Sequence, residues 1–395
     1  MNRNPTSFLK EEVERLKENN LNWIVRVLQS KSQPHAVVDG KEVLLLCANN
    51  YLGLATHPKL IEASLKATRE FGVGAGAVPV ISGTMTLHEE FQEKFAKFKG
   101  VEASLLCQTG FAVNSGLIPQ LIGEGDLVIS DQLSHGSIID GVRLSKAERA
   151  VYKHNDMGDL EKVLNEAEKK NFNRILILTD GVFSMDGDIA KLPEIVELAD
   201  SHGAMVFVDD CHGEGVLGDG RGIVHHFNLQ GKIHIEGGSM SKGFGVFGGT
   251  IAGSKELIEF AYNKSRTWLL STAHPPGLVA ACIAAIEVVE KEPRHVKNLW
   301  DNTNYFKKEV QSLGFNTGNS ETPIIPLITG EPEKAQKMSE VLFKEEGLFA
   351  TPIVYPMVAK ELSRIRTQMS ALLTKDDLNK ALASIEKVGK KLKVI

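Results

Sequence analysis

The sequence predicts an α/β protein in which a mainly parallel sheet lies between helices, with a smaller α+β domain after it. Between residues 103 and 253, short apolar runs typical of buried strands alternate with segments of helical spacing. Beyond Glu292 the pattern changes to long amphipathic helices and short strands. A chain of 395 residues is long enough for two domains. We therefore predict a large domain over residues 56–290 and a small domain over residues 291–395. The N-terminal segment, residues 1–55, is predicted to join the small domain.

The composition is that of an ordinary globular protein, with 42% hydrophobic and 24% charged residues. A net charge of −5 without a basic patch argues against a nucleic-acid partner. The four cysteines are far apart and form no CxxC pair, which favours reduced thiols over disulfides or metal ligands. Neither a signal peptide nor a membrane span is indicated. We expect a cytoplasmic enzyme without a metal and without a membrane partner.

The N-terminal quarter combines helices with one hairpin. Apolar residues at helical spacing predict a first helix over residues 7–29, packed on the body of the protein or on a partner subunit. A hairpin over residues 35–47 turns at Asp39 and Gly40, and a helix over residues 58–71 follows. The glycine-dense residues 72–84 do not have the spacing of a nucleotide-binding loop, so we interpret them as a flexible active-site loop.

The rest of the chain follows the two patterns that define the domains. In the large domain we predict strands at residues 103–107, 126–130, 151–152, 175–178, 204–208, 233–235 and 250–252, and helices at 88–99, 159–169, 192–202 and 277–289, with a further helix opening after residues 108–112. In the small domain we predict helices at residues 296–313, 333–346 and 375–391 and strands at 322–328 and 365–369.

Lys242 is the first candidate functional residue. It lies in the glycine-rich residues 237–249, between two strand-like runs and beside the hydroxyls of Ser239 and Ser241. Hydroxyls and loop N–H groups bind phosphate, and a lysine beside them is a candidate for forming a Schiff base. A glycine-rich turn with an exposed lysine is the alternative interpretation of this stretch.

Asp209 is the second candidate. An apolar strand ends at this acid, and His212 follows three residues later. Ligands of doubly wound sheets bind beyond the carboxyl ends of the strands. Pyridoxal 5′-phosphate (PLP) needs a carboxylate at its pyridinium nitrogen and a lysine at its aldehyde. An acid at a strand end is by itself more typical of a helix cap, but the pairing with Lys242 favours PLP.

The chain resembles the α-oxoamine synthases, a branch of the fold-type I PLP-dependent transferases. Four stretches carry the resemblance, namely CANNYLGL at 47–54, SHGSIIDGVR at 134–143, DGVFSMDGD at 180–188 and RIRTQMSA at 364–371. Within this family the chain looks most like glycine C-acetyltransferase. The resemblance implies a large domain with a mainly parallel seven-stranded sheet and a homodimer with shared active sites.

The resemblance also implies roles for individual residues. Lys242 would hold PLP as a Schiff base, Asp209 would pair with the pyridinium nitrogen, His135 would stack on the ring, and His212 would bond the ring oxygen. These four form the expected catalytic set. Phosphate contacts are implied for Gly110, Phe111 and Ser239, and from the neighbouring subunit for Ser271 and Thr272. Ser184 is expected near the ring oxygen and the substrate, while Asn50 and Arg366 are expected to bind the amino-acid substrate.

The favoured reaction joins glycine and acetyl-CoA into 2-amino-3-oxobutanoate and CoA, which threonine breakdown uses in reverse. The alternatives are 8-amino-7-oxononanoate synthase, which condenses alanine with a longer acyl-CoA and releases carbon dioxide, and a broad-specificity or long-chain synthase. A plain aminotransferase and a non-catalytic scaffold of the same fold are further alternatives.

Two positions depart from the family pattern. Relatives usually carry an arginine where this chain has Pro79, which argues against pimeloyl-CoA because its free carboxylate favours a cationic partner. Leu373 stands in a stretch where many relatives have Ala-His-Thr.

Overall fold

The computed structural model describes residues 4–18 and 22–395. Its strands are, in chain order, β1 His35–Val38, β2 Lys41–Leu45, β3 Ala103–Cys107, β4 Leu127–Asp131, β5 Glu148–Tyr152, β6 Ile175–Asp180, β7 Met205–Asp209, β8 Ile235–Ser239, β9 Gly249–Gly253, β10 Ile324–Gly330, β11 Leu348–Phe349, β12 Thr351–Ile353 and β13 Ser363–Gln368.

The helices are α1 Ser7–Glu18, α2 Pro58–Phe71, α3 Thr86–Lys99, α4 Gly110–Leu121, α5 Gly136–Leu144, α6 Met157–Ala167, α7 Leu192–Ser201, α8 Ile223–His226, α9 Lys255–Lys264, α10 Arg266–Leu269, α11 Pro276–Lys291, α12 Arg294–Ser312, α13 Pro332–Lys344 and α14 Lys375–Lys391. Short 3₁₀ turns occur at Leu54–Thr56, Gly218–Gly220 and Lys360–Leu362, and Pro79–Gly83 forms a π-helical turn. In the described part of the chain, no helix is long and apolar enough to cross a membrane.

A seven-stranded sheet forms the centre of the large domain, in the order β3-β9-β8-β7-β6-β4-β5. Every strand pair is parallel except those made by β9, which runs antiparallel to β3 and β8. Alternate residues point to opposite faces, so Leu176 and Phe207 join one apolar core while Ile177 and Val206 join the other. Both faces are buried, which explains the continuous apolar runs in the sequence. The predicted sheet is confirmed.

The small domain contains two three-stranded sheets. One has the order β10-β13-β12 and is antiparallel. The other has the order β1-β2-β11, and β2 pairs in parallel with β11, which lies about 300 residues later in the chain. This pairing joins the N-terminal segment to the small domain, as the predicted domain organisation requires. The domain limits at residues 55 and 290 stay predictions.

The first helix differs from its prediction. It ends at Glu18 rather than near residue 29, while residues 19–21 of the predicted range lie outside the described residues. The following segment runs beside β1, where the N–H of Gln29 donates to the Val37 carbonyl and that of Asp39 donates to the Val27 carbonyl. Strand-like bonding therefore replaces the predicted helix. None of the described α1 residues is buried in this single chain.

Candidate active site

The candidate site lies where the parallel strands of the large sheet end. Asp209 is the last residue of β7, and its neighbours β6 and β4 end at Asp180 and Asp131. His135 caps the N-terminus of α5, and Lys242 follows β8 by three residues. The carboxyl edge of a parallel sheet is the usual binding position in this class of fold.

A chain of hydrogen bonds fixes Asp209 and His135 relative to each other. The Asn114 amide donates to Asp209 Oδ2 at 2.5 Å and to Ser137 Oγ at 2.9 Å. Ser137 Oγ lies 2.7 Å from His135 Nδ1, and the N–H of Cys211 donates to Asp209 Oδ1 at 3.0 Å. The described partners of this buried carboxylate are thus an amide and a backbone N–H rather than a cation. The Asp209 carboxylate can therefore pair with a cationic N–H of a bound group.

The two site histidines favour the neutral form; His212 is buried, whereas His135 is partly desolvated by its neighbours and keeps an exposed surface. Burial lowers the pKa of His135, with the Lys242 ammonium acting in the same direction against Asp209. Burial also holds the pKa of His212 well below its usual value, aided by Lys242, Arg366 and His135.

Tyr51 orients His212. Its hydroxyl lies 2.8 Å from His212 Nδ1, and burial raises the tyrosine pKa to about 12, so it remains a neutral phenol. A neutral phenol can donate to this nitrogen or accept from it, so the hydrogen bond holds the orientation of the His212 ring with either tautomer.

The loop that carries Lys242 packs tightly on two neighbouring turns. Gly245 has a φ of 68° and lies so close to Ala55 and Asn50 that a Cβ would fall 2.4 Å from the Ala55 nitrogen. Gly215 approaches Gly243 in the same way. These glycines allow backbone contacts that no larger residue permits, and they hold the lysine loop beside Asn50.

The hydroxyls near Lys242 have different environments. Ser239 is buried, donates to the Gly248 carbonyl at 3.0 Å, and lies 2.7 Å from the hydroxyl of exposed Ser241. Its own N–H donates to the Glu214 carboxylate. Ser241, which the sequence reasoning gave no role, therefore presents the more accessible hydroxyl of the pair.

The opposite end of the site is the N-terminus of α4. Thr109 caps this helix, Gly110 begins it, and the Phe111 side chain is 52% exposed. A Cβ on Gly110 would lie 2.6 Å from Cys211 Sγ, so this position accepts only glycine. Free N–H groups at a helix N-terminus attract phosphate.

Ser271 and Thr272 lie in the loop between α10 and α11. This loop is tethered to the residues just before α4 of its own chain, because the Gln108 amide donates to the Thr272 carbonyl at 3.2 Å. Their expected contact with a second subunit stays a prediction.

The two arginines of β13 have separate tasks. Arg364 is 1% exposed and pairs with Asp186 at 2.6 Å, so its charge is neutralised within the protein. Arg366 donates from Nε to the Ser184 carbonyl at 2.6 Å and lies close to the Tyr51 hydroxyl. Among the described residues no carboxylate forms an ion pair with Arg366. Its position beside His212 and Ser184 is that expected of a residue that receives a substrate carboxylate.

Behind this site lies a buried ion cluster, which we call the Lys99 cluster. Lys99 Nζ lies 3.0 Å from Glu236, 3.3 Å from Glu214 and 3.9 Å from Asp210. Burial would lower the lysine pKa, but the three acids raise it above its usual value. The cluster ties the Asp209–His212 turn to the strand that ends at Ser239.

The residues present fit PLP. A buried carboxylate without a cation, a partly accessible lysine, two histidines that favour the neutral form and a helix N-terminus are the donor set that this cofactor needs. The buried Gln108 Oε1 at the phosphate end also has no hydrogen-bond partner among the described residues.

Comparison with known proteins agrees with this geometry. A family model described as aminotransferase class I and II matches residues 41–385. The 8-amino-7-oxononanoate synthase of Symbiobacterium thermophilum is 52% identical over 391 residues, 99% of each chain. The 8-amino-7-oxononanoate synthase 1 of Bacillus subtilis is 48% identical over 389 residues, 98% of each chain. This chain belongs to the α-oxoamine synthase family.

Solved structures give the same result for this α-oxoamine synthase. Serine palmitoyltransferase from S. paucimobilis with bound PLP and myriocin has a TM-score of 0.92 at 29% identity, over 99% of this chain and 98% of that chain. The Sphingomonas wittichii enzyme has the same TM-score and identity over 99% of each chain. The 8-amino-7-oxononanoate synthase of Francisella tularensis, at 23% identity, shares the fold with a TM-score of 0.77 over 88% of this chain and 98% of that chain. The predicted fold and the PLP cofactor are confirmed.

The predicted family is confirmed, but its predicted member is not supported. The relatives described above bear the name of the alternative, 8-amino-7-oxononanoate synthase, rather than that of glycine C-acetyltransferase. The sequence reasoning also missed Asn114, Tyr51 and Lys99. Tyr51 and Ser137 lie inside the motifs that carried the resemblance, so a signal for them existed. Nothing in the sequence distinguishes Lys99 from an exposed lysine at the end of a helix.

Proposed function

We propose that the protein is an 8-amino-7-oxononanoate synthase, which condenses alanine with a pimeloyl thioester and releases carbon dioxide and the free thiol. The observation that carries this proposal is the near full-length identity of about half to relatives of that name, 52% and 48% in the two cases above. The geometry supports it, because the arrangement of Lys242, Asp209 and Arg366 suits an amino acid activated at its α-carbon.

Four side chains of the large domain would hold PLP. Lys242 is the amine for its aldehyde, Asp209 is the acceptor for its ring N–H, His135 is the partner for its face, and His212 donates to its ring oxygen. Ser239 and the N–H groups of Gly110 and Phe111 would take the phosphate. When bound, PLP withdraws electrons from the α-carbon of an attached amino acid.

The chain's own groups would position the substrate and move its proton. Arg366 would bind the amino-acid carboxylate bidentately, beside Asn50 and Ser184, and so fix the α-carbon near Lys242. Lys242 Nζ then takes the α-proton. The α-carbon attacks the thioester carbonyl, the C–S bond breaks and the thiolate leaves. Loss of the carboxylate as carbon dioxide and reprotonation of the α-carbon complete the product.

A homodimer with shared active sites is part of the proposal. Apolar side chains remain exposed in the single chain around the site and along the N-terminal segment, including Phe111, Phe247, Leu270, Trp23 and Val25. A second copy that covers them would also bring Ser271 and Thr272 to the phosphate of its partner.

Glycine plus acetyl-CoA is the second candidate. Pro79 favours it, because the residue is buried at the start of a π-helical turn whose exposed side chains are Val80, Ile81 and Ser82. These side chains offer no cation to the distal carboxylate of a pimeloyl chain.

The test measures thiol release by the PLP-loaded protein with alanine, glycine or serine against pimeloyl-, acetyl- or palmitoyl-CoA. We expect the largest kcat/KM with alanine and pimeloyl-CoA, and a loss of about 10⁴-fold or more in Lys242→Ala, since that variant lacks the group that moves the proton. Lys264→Ala, a change at an exposed lysine, serves as the matched control.

Each other outcome has a definite meaning. A dominant glycine and acetyl-CoA signal would make the second candidate correct. Thiol release that survives in Lys242→Ala would refute the role of this lysine, and no release with any pair would refute the synthase proposal.

A further inference from the structure

Residues 183–189 form a turn, here called the 183–189 turn, at which residues of the two domains meet beside Arg366. The Ser184 carbonyl accepts from Arg366, and the Met185 carbonyl and Asp186 accept from Arg364. The Gly187 carbonyl accepts from the N–H of Glu321 and from the hydroxyl of Thr322. Four residues of the small domain thus bond this turn.

The turn is tight and its two ends are joined. The N–H of Gly187, which has a φ of 77°, donates to the Phe183 carbonyl at 2.8 Å, and the N–H of Phe183 donates to the Asp188 carbonyl at 3.1 Å. The orientation of the Ser184 carbonyl therefore depends on how Phe183 and Asp188 are held.

His154 holds both ends from the side of the large sheet. Its Nε2 lies 2.8 Å from Asp188 Oδ2, and its ring meets the Phe183 ring edge-on with centroids 4.5 Å apart. Its Nδ1 lies 2.9 Å from Oδ1 of Asp131, the last residue of β4, which is fully buried. Asn155 adds bonds from its N–H to Asp131 and from its side chain to Asp188.

The hydrogen bonds of this group require a protonated imidazole. Two ring nitrogens that each face a carboxylate oxygen must both donate, which requires the imidazolium. Burial would lower the pKa of His154, but the hydrogen bonds and charges of Asp131 and Asp188 outweigh it and raise the pKa to about 10. The ring is 25% exposed, so the charge is partly shielded from water.

We propose that His154 is a positioning residue for the amino-acid substrate, acting as a charged link from Asp131 to Asp188 that fixes the 183–189 turn and, through the Ser184 carbonyl, orients Arg366. This inference rests on the proposed function, because it takes Arg366 to be the group that binds the substrate carboxylate. His154 itself touches neither cofactor nor substrate.

The test compares His154→Gln with Arg366→Lys in the PLP-loaded protein. Alanine affinity is measured by the absorbance change of the bound cofactor, and KM and kcat are measured for both substrates. Because glutamine cannot bridge the two acids, we expect about 10-fold weaker alanine binding in His154→Gln and a matching rise in its KM. The KM for the acyl thioester and the cofactor content should change less than twofold. His226→Gln, at an exposed histidine, is the control.

The two proposals fail in different ways. If Arg366→Lys weakens alanine binding and His154→Gln does not, the link is refuted and the proposed function stands. If neither variant changes alanine affinity, the assignment of Arg366 is wrong. If His154→Gln changes both substrates equally, its role is structural and the proposal is refuted.

A measurement that keeps His154 in place covers the case in which His154→Gln does not fold. Nitrogen NMR of ¹⁵N-histidine-labelled protein at pH 8.5 should show one histidine with both ring nitrogens protonated, and Asp188→Asn, which removes one acceptor charge, should abolish that signal. A neutral His154 at this pH would refute the link.

Discussion

Two buried ion clusters lie one layer behind the site, and they differ in charge balance. The Lys99 cluster places three carboxylates around one ammonium group, with Lys99 and Asp210 fully buried. The second cluster places two carboxylates around the His154 imidazolium. About a quarter of this side chain is exposed to water. The Lys99 cluster has two more negative than positive charges and is almost fully buried. In the His154 cluster, the two acids also accept hydrogen bonds from the backbone N–H and the side-chain amide of Asn155.

This difference indicates separate tasks. Burial raises the pKa of Asp210 and Glu214, so the folded Lys99 cluster tends to retain a proton. The Lys99 ammonium opposes this rise by stabilising the ionised carboxylates. The cluster ties β7 to β8 and therefore supports the fold beneath the cofactor. The His154 cluster holds one turn at the domain junction and sets local geometry. We expect substitutions in the Lys99 cluster to affect stability, and substitutions in the His154 cluster to affect substrate affinity together with a pH-dependent part of the stability.

The largest expected effect is that of Lys99→Met. Removing the cation leaves three buried acids without their partner, which typically costs about 3–5 kcal/mol of unfolding free energy. Urea unfolding of the PLP-loaded protein measures the loss. Lys97→Met, at an exposed lysine of the same helix, should change the unfolding free energy by less than about 0.5 kcal/mol. Equal effects of the two changes would show that the cluster does not contribute as argued.

The Lys99 cluster also shows what the sequence could not reveal. Amphipathic spacing and buried runs predicted α2, α14 and β3 with their observed limits, because these patterns are local. Lys99 ends a helix of mixed composition, and its partners Asp210, Glu214 and Glu236 lie more than 100 residues away. No local pattern encodes such an encounter.

The site was predictable where strand ends and motifs defined it, as at Asp209 and Lys242. It was less so at β13, since alternation puts Arg364 and Arg366 on the same face of the strand. The structure separates them, because Asp186 pairs with Arg364 alone. No residue spacing in the sequence predicts which acyl group is bound.

The second expected effect is a pH-dependent contribution of His154 to stability. Its folded pKa of about 10 exceeds the unfolded value of about 6.5, so the folded state holds the extra proton between these values. The contribution is fully present below about pH 6.5 and is lost as the pH rises towards 10. Between these two values the folded and unfolded states differ by nearly one bound proton, so the slope approaches about 1.4 kcal/mol per pH unit. Partial exposure of the ring lowers the folded pKa and therefore shortens the pH range over which this slope applies.

Unfolding free energies of the unaltered protein and of His154→Gln at pH 7, 8 and 9 measure this slope. The gap between the two proteins should narrow steadily as the pH rises, whereas the gap between the unaltered protein and His226→Gln should stay constant. A gap that does not depend on pH would mean that His154 is neutral in the folded protein.

The smallest expected effect is that of Glu236→Gln. Glu236 contributes to the raised pKa of both Asp210 and Glu214, so its neutralisation lowers the acid excess while two acids still surround Lys99. The lost attraction to Lys99, at 3.0 Å, opposes this gain. We expect the two effects to cancel to within about 1 kcal/mol at neutral pH, as substitutions that rebalance buried ion groups often do.

The pH profile of Glu236→Gln distinguishes this cancellation from a cluster that does nothing. Raised folded pKa values give Asp210 and Glu214 a contribution that is present at low pH and is lost as the pH rises through those values. Because Glu236→Gln lowers both values, the variant should lose less stability between pH 5 and pH 8 than the unaltered protein. Glu259→Gln, an exposed change, should follow the profile of the unaltered protein. If the stability of Glu236→Gln also follows the pH profile of the unaltered protein, the three acids do not repel one another. The excess negative charge of the Lys99 cluster would then have no effect on the free energy of unfolding.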